Sequence, residues 1–157
     1  SYTAFTMGDT RFVLLDCGED KPDGTEVYYG MNNFTQYRKD QAQFLQTELA
    51  GPEFTAAARK VLIHHIPIYG NAVAKFNPCK ELWQPYLATA GFDVSLNGHL
   101  HRYELIEKGA SENNFPVVIG GGYKEENATV MILKKTGERL NLRVVHAKGN
   151  TLLNRDL

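Results

Sequence analysis

Phe92-Asp93-Val94-Ser95-Leu96-Asn97-Gly98-His99-Leu100-His101 reads as a short buried strand that stops abruptly and delivers two histidines at its end. Residues 92–96 form the strand and Asn97-Gly98 closes it. Gly98 allows the backbone to turn tightly just before the pair. If residues 99 to 101 stay extended, His99 and His101 project to the same side, with their backbones about 6–7 Å apart. Two imidazoles presented in that way suit one metal ion, or one each of two ions roughly 3.5–4 Å apart.

Working outward, Lys60–His64 is a second buried strand, which ends in His64-His65-Ile66-Pro67. Histidines thus stand after two different apolar strands. A lone histidine is more often a satisfied core or surface residue, and His146, alternating with apolar neighbours in a late strand, is read that way. A Gly-His-x-His after one strand and a His-His-x-Pro after another point instead to a metal centre.

Upstream, Arg11–Asp16 is an apolar run ending at an acid and entering the turn-rich loop Cys17–Gly24. Residues 35–49 carry Tyr37, Gln41, Phe44, Leu45 and Leu49 on one helical face, with Gly51-Pro52 as the stop. Residues 80–90 give a cleaner helix, through Leu82, Trp83, Tyr86, Leu87 and Ala90, with Gly91 placed as its C-cap. After His101 the pattern turns to strands: 103–107, 116–119, 129–134 and 139–146, the last two joined by the turn Lys135-Thr136-Gly137-Glu138. No repeat or linker divides residues 1–157, so one structural unit is expected. Its class is α/β (α+β), a β-α-β-α-β core with a mixed sheet ending in a β-meander.

Composition narrows the function classes. A hydrophobic content of 43% and a charged content of 22% are ordinary for a globular domain. With a net charge of −1 there is no basic field for nucleic acid or for an anionic membrane surface. Apolar runs such as Val117-Val118-Ile119 are too short to span a bilayer. Cys17 and Cys79 stand in unrelated local contexts and read as two reduced, partly buried thiols. Asn33 and Asn127 each open an Asn-x-Thr sequence, a chance match without a secretory host. A start at Ser1 without a Met or a leader suggests that something upstream was removed, so compartment is not legible. For a bacterial host the lean is periplasmic or extracytoplasmic.

Val61–Pro67 followed by Gly98-His99-Leu100-His101 resembles the final two motifs of the calcineurin-like metallophosphoesterase superfamily, of which purple acid phosphatases are one branch. Phe12–Asp23 is similar to the segment that follows the Gly-Asn-His motif in bacterial purple-acid-phosphatase-like members. The resemblance runs over nearly the whole chain and includes Phe115–Gly121. It implies a β-sandwich flanked by helices and a phosphoric ester hydrolase with two divalent or trivalent ions (Fe, Mn or Zn). Carried onto this sequence, the ligands are His65, His99 and His101. His65 is preferred to His64 because the family pattern is His-x-Pro, with Pro67 two residues on. His99 would share a metal with His65 and His101 would bind the other; His64 and Asp16 become candidates for the surrounding shell.

The family's Asp-x-His and Gly-Asn-His occur nowhere in the chain, and Gly8-Asp9 sits at an ordinary turn. The resemblance therefore implies the C-terminal half of a catalytic domain whose carboxylate side lies upstream. The parent would hydrolyse phosphate mono- or diesters, and the isolated chain would not. Weak zinc binding is expected, and a homodimer through the truncated face. The alternative is a catalytically dead metal-binding or interaction module that keeps the fold. A cupin is disfavoured because Glu104 and Glu107 fall at the wrong distances after His101. A metallo-β-lactamase is disfavoured because Tyr103-Glu104 stands where that family needs Asp-His. Gly120-Gly121-Gly122-Tyr123-Lys124 lacks the P-loop spacing and is read as a close backbone approach at a strand end.

Overall fold

Period-2 apolar patterning builds three layers. The computed structural model describes residues 1–70 and 75–157. Its strands are β1 (Thr3–Met7), β2 (Thr10–Leu15), β3 (Arg59–His64), β4 (Val94–Asn97), β5 (Glu104–Ile106), β6 (Val117–Ile119), β7 (Thr129–Thr136), β8 (Arg139–His146) and β9 (Thr151–Asp156). The helices are α1 (Phe34–Ala50), α2 (Pro52–Ala56) and α3 (Pro78–Leu87). A six-stranded mixed sheet runs in the order β1-β2-β3-β4-β6-β5, parallel from β2 through β6 and antiparallel at both edges. A three-stranded antiparallel sheet runs β7-β8-β9. The fold class is α+β with a mixed sheet.

Alternate residues of each central strand serve opposite faces. Val13, Leu15, Leu62, Val117 and Ile119 face the helices, where they meet Leu45, Phe54, Trp83 and Leu87. Val61, Val94 and Val118 face the other way, onto Leu140, Leu142 and Val144 of β8. The runs 61–63 and 117–119 are apolar throughout because both faces are covered.

Several expected boundaries move. Gly51 does end α1, as expected, and Pro52 then opens the short α2, where a missing N–H costs nothing. The helix expected at 80–90 is α3, beginning at Pro78 under an Asn77 cap that accepts from the Lys80 amide and ending at Leu87. Gly91, at φ 71°, therefore turns the connection to β4 and is not the C-cap. The all-β tail is not one meander. Only β7–β9 form one; β6 inserts beside β4 and leaves β5 at the edge. The strand β9 was not expected, because Thr151–Asp156 lacks strict alternation; pairing to β8 across a bulge at Val144/Val145 makes it a strand.

Cys17 and Cys79 are both free and buried. The reading of two reduced thiols holds, and although their local contexts are unrelated they lie in one core cluster. Hydrogen bonding with the Cys79 thiol, then burial, pushes the Cys17 thiol far up, so Cys17 stays protonated and unreactive in the folded state.

Candidate functional site

Ligand sites in sheets of this kind form beyond the carboxyl ends of parallel strands. Here the loops after β2, β3, β4 and β6 gather at that end, and each brings a side chain with chemistry.

The β3 loop brings His65 and the β4 loop brings His99. Their rings lie edge to face, with centroids 5.4 Å apart and an interplanar angle of 88°. Gly98 makes this approach possible: its amide donates to the His65 carbonyl at 2.9 Å, and a Cβ there would come within 3.1 Å of His65 Nδ1. Burial, then the neighbouring His99 and His101 charges, hold the His65 pKa below its ordinary value, while Asp16 works in the opposite direction. A neutral His65 has a lone pair to give to a cation.

Residues 99 to 101 are not extended. His99 has φ 70° and His101 has φ 54°, both left-handed, and the Leu100 amide donates to the Gly98 carbonyl at 2.8 Å. Each such residue costs of order 1–3 kcal/mol. His101 is consequently exposed and set at right angles to Tyr123, with ring centroids 5.6 Å apart.

His64 faces the other way. Only 2% exposed, it sits under Trp83 with its Nδ1 2.8 Å from the Ile66 carbonyl and 3.0 Å from Asn97 Nδ2, and its Nε2 3.3 Å from Ser95 Oγ. Asn97 also donates to the His64 carbonyl at 2.7 Å. This network ties the end of β3 to the end of β4 and so fixes where His65 and His99 start. Asp16 caps the end of β2: Oδ1 accepts from the Gly18 amide at 2.9 Å, and Oδ2 from the Tyr37 hydroxyl at 3.0 Å.

Sequence reasoning passed over two participants. Asp20, unremarked within the turn-rich loop Cys17–Gly24, has Oδ2 3.8 Å from His99 Nε2. Asn127, noted only as a chance Asn-x-Thr, donates from Nδ2 to the His101 carbonyl at 2.9 Å, and Thr129 Oγ1 accepts from the Gly121 amide. No local pattern marks either, since both are defined by partners in distant loops. The glycine run does make the close approach expected of it: a Cβ on Gly121 would land on the Asn127 carbonyl, and one on Gly122 within 2.9 Å of His101 Cβ. His146 anchors the same loop through Nε2 and the Glu126 carbonyl, 3.0 Å apart. Asp9 is spoken for in the β1–β2 turn, paired to Lys135 at 2.9 Å.

As a metal centre the donor set fits in part. Two imidazoles face each other at one spot, but among the described residues no three His, Cys, Asp or Glu side chains converge as a cation would need. Among these residues, too, no helix is long and apolar enough to cross a membrane.

No family model matches this sequence, and no curated protein matches it. A conserved uncharacterized protein of Streptococcus pneumoniae, a predicted phosphoesterase, superposes at a TM-score of 0.36 with 6% identity, over 93% of this chain and 95% of that one. GAP50, the anchor in the inner membrane complex of Plasmodium, superposes at a TM-score of 0.57 with 17% identity, over 100% of this chain and 53% of that one. The likeness to GAP50 is one of fold: over its whole length this chain is folded like about half of that protein.

Proposed function

We propose that this chain carries the histidine share of a two-metal phosphoesterase centre, in a longer calcineurin-like, purple-acid-phosphatase-like protein whose carboxylate share precedes Ser1. The observation that carries the reading is the pairing of His65 and His99 at neighbouring strand ends, 5.4 Å between ring centroids, in the His-x-Pro and Gly-His-x-His motifs. His65 and His99 would hold one ion and His101 the other, with Fe, Mn or Zn as the candidates. A bound cation supplies positive charge beside a phosphate mono- or diester. The chain's own residues position it: Gly98 admits the His65 ring, the His64–Ser95–Asn97 network sets the two strand ends, and Asn127 holds the His101 carbonyl.

Zinc calorimetry at neutral pH tests this. Weak binding is expected, lost in His65→Ala and in His99→Ala and reduced less in His64→Gln, whose ring faces the core and acts only through the strand ends it ties together. If His64→Gln loses zinc as completely as His65→Ala while its circular dichroism is unchanged, the choice of His65 is wrong. In the same samples p-nitrophenyl phosphate turnover should not exceed a buffer blank with Mn, Zn or Fe. Turnover that disappears in His99→Ala would show a complete site and overturn the half-site reading.

A second reading, an interaction module that keeps the fold without hydrolysis, draws support from the incomplete donor set and from His101 being turned onto Tyr123. Zinc binding absent from the whole chain would favour it.

The proposed partner for the open side of the sheets is a second copy. The three-stranded sheet covers Val61, Val94 and Val118, but Ile63, Leu96 and Met131 line an open groove beside His65. The edge strands β1 and β7, linked through Asp9 and Lys135, leave Met7 and Val130 67% and 60% exposed. Exposed apolar surface along free strand edges favours self-association. Light scattering at high micromolar concentration should show a dimer; a well-folded monomer that binds no hydrophobic dye would refute it.

A further inference from the structure

The loop after β2 is clamped on either side of Asp20. Ahead of it, the buried Arg38 guanidinium donates to the Cys17 and Glu19 carbonyls, each at 2.8 Å. Beyond it, the Asp23 carboxylate accepts from the Phe34 and Thr35 amides at 3.0 and 2.8 Å, at the start of α1. Asp20 is thereby held in one place, as a group that orients another must be. Its two oxygens have different neighbours: Oδ1 accepts from Lys21 Nζ at 2.5 Å, and Oδ2 lies 3.8 Å from His99 Nε2. That second distance is too long for a hydrogen bond and short enough for a charge to act on the ring. The Lys21 hydrogen bond, opposed by burial and aided by the Lys21 and His99 charges, holds the Asp20 carboxyl below its ordinary value, so it is anionic at neutral pH. Among the described residues no other acid comes within ion-pair reach of His65, His99 or His101.

We propose that Asp20 is a positioning residue for His99: its charge keeps the ring proton on Nε2 and leaves the Nδ1 lone pair for a cation. A histidine that holds a metal through one nitrogen commonly presents the other to a carboxylate, which fixes both tautomer and ring orientation. Asp20 is not itself a third ligand, because no three donor side chains converge among the described residues. His99 needs such a partner more than His65 does. Its backbone is left-handed, and its ring is set by the loop it meets as well as by the strand that delivers it. The use of the Nδ1 lone pair rests on the metal-centre reading; the effect of Asp20 on the tautomer does not.

The test combines zinc calorimetry with nitrogen-15 NMR of the imidazoles on the whole 157-residue chain. Asp20→Asn, which keeps the shape and removes the charge, should weaken zinc about tenfold, the loss typical of such an outer partner. Asp20→Glu, which keeps the charge and changes the shape, should recover most of it. A merely structural role for Asp20 predicts the reverse order. Glu19→Gln, which removes a neighbouring charge from the same loop, should leave zinc affinity as it was. Metal-free spectra in a chelating buffer at about pH 8.5, above the ordinary histidine range, should show the Nε2–H fraction of His99 falling in Asp20→Asn. Zinc binding in Asp20→Asn equal to that of the unmodified chain, or weaker binding in Asp20→Glu than in Asp20→Asn, would overturn the assignment and leave the metal-centre reading standing. If no form binds zinc, that reading fails and the metal-free spectra decide alone: a lower Nε2–H fraction in Asp20→Asn upholds Asp20 as the group that orients His99, and an unchanged one overturns it.

Discussion

Arg38→Met should lower the unfolding free energy by about 3–5 kcal/mol, as expected when a buried charge-assisted network loses its central donor. The guanidinium is 1% exposed. Its Nε donates to the Cys17 carbonyl at 2.8 Å and one terminal nitrogen to the Glu19 carbonyl at 2.8 Å; the other lies 3.9 Å from Asp23 Oδ1. It also lies over the rings of Phe34 and Phe76. Methionine keeps much of the apolar volume but leaves the carbonyls without donors and Asp23 without its counter-charge. The same substitution frees the loop after β2, which holds Asp20 near His99. Chemical denaturation should show the loss, amounting to a melting shift on the order of 10 °C for a chain of this size. Hydrogen exchange should quicken at Gly18, whose amide Asp16 caps in the same loop. Lys39→Met, on the exposed side of the same helix, should change stability by less than about 0.5 kcal/mol. A loss as small in Arg38→Met would show that the buried guanidinium contributes nothing net.

Stability should fall by about 3 kcal/mol as pH drops from 6.5 to 4, through His64. Complete burial, opposed by the Ile66 carbonyl and assisted by the neighbouring His65, pushes this imidazole down to about 4. Above about pH 6.5 the group is neutral in both states and adds no slope. Between the two values the unfolded chain takes up a proton that the folded chain refuses, so stability is lost as pH falls. Below about 4 both states are protonated and the slope ends. His65 shifts in the same direction, so the comparison that isolates His64 is with His64→Gln. Urea denaturation across this range in a chelating buffer should give a steeper pH dependence for the unmodified chain than for the variant. Parallel curves would mean that His64 is not the group being protonated.

Much of the fold was legible because it is local. Continuous apolar runs at residues 61–63 and 117–119 mark strands buried on both faces, and three- and four-residue spacing from Leu82 to Leu87 marks a helix. The positions of His65, His99 and His101 at strand ends follow from where those patterns stop, and the glycine run at 120–122 announces a close backbone approach without saying to what. The tertiary structure alone decided what meets there. The left-handed residues His99 and His101 meet His65 of the β3 loop on one side and Gly122 with Asn127 of the β6 loop on the other. These are partners from other loops that no local pattern can encode. Asp20 reaches His99 only because Arg38 folds its loop back. The place of β6 inside β5, the pairing that makes 151–156 a strand, and the meeting of Cys17 with Cys79 likewise depend on contacts between distant segments. Local sequence sets the elements and their ends; the packing of those ends against one another sets the site.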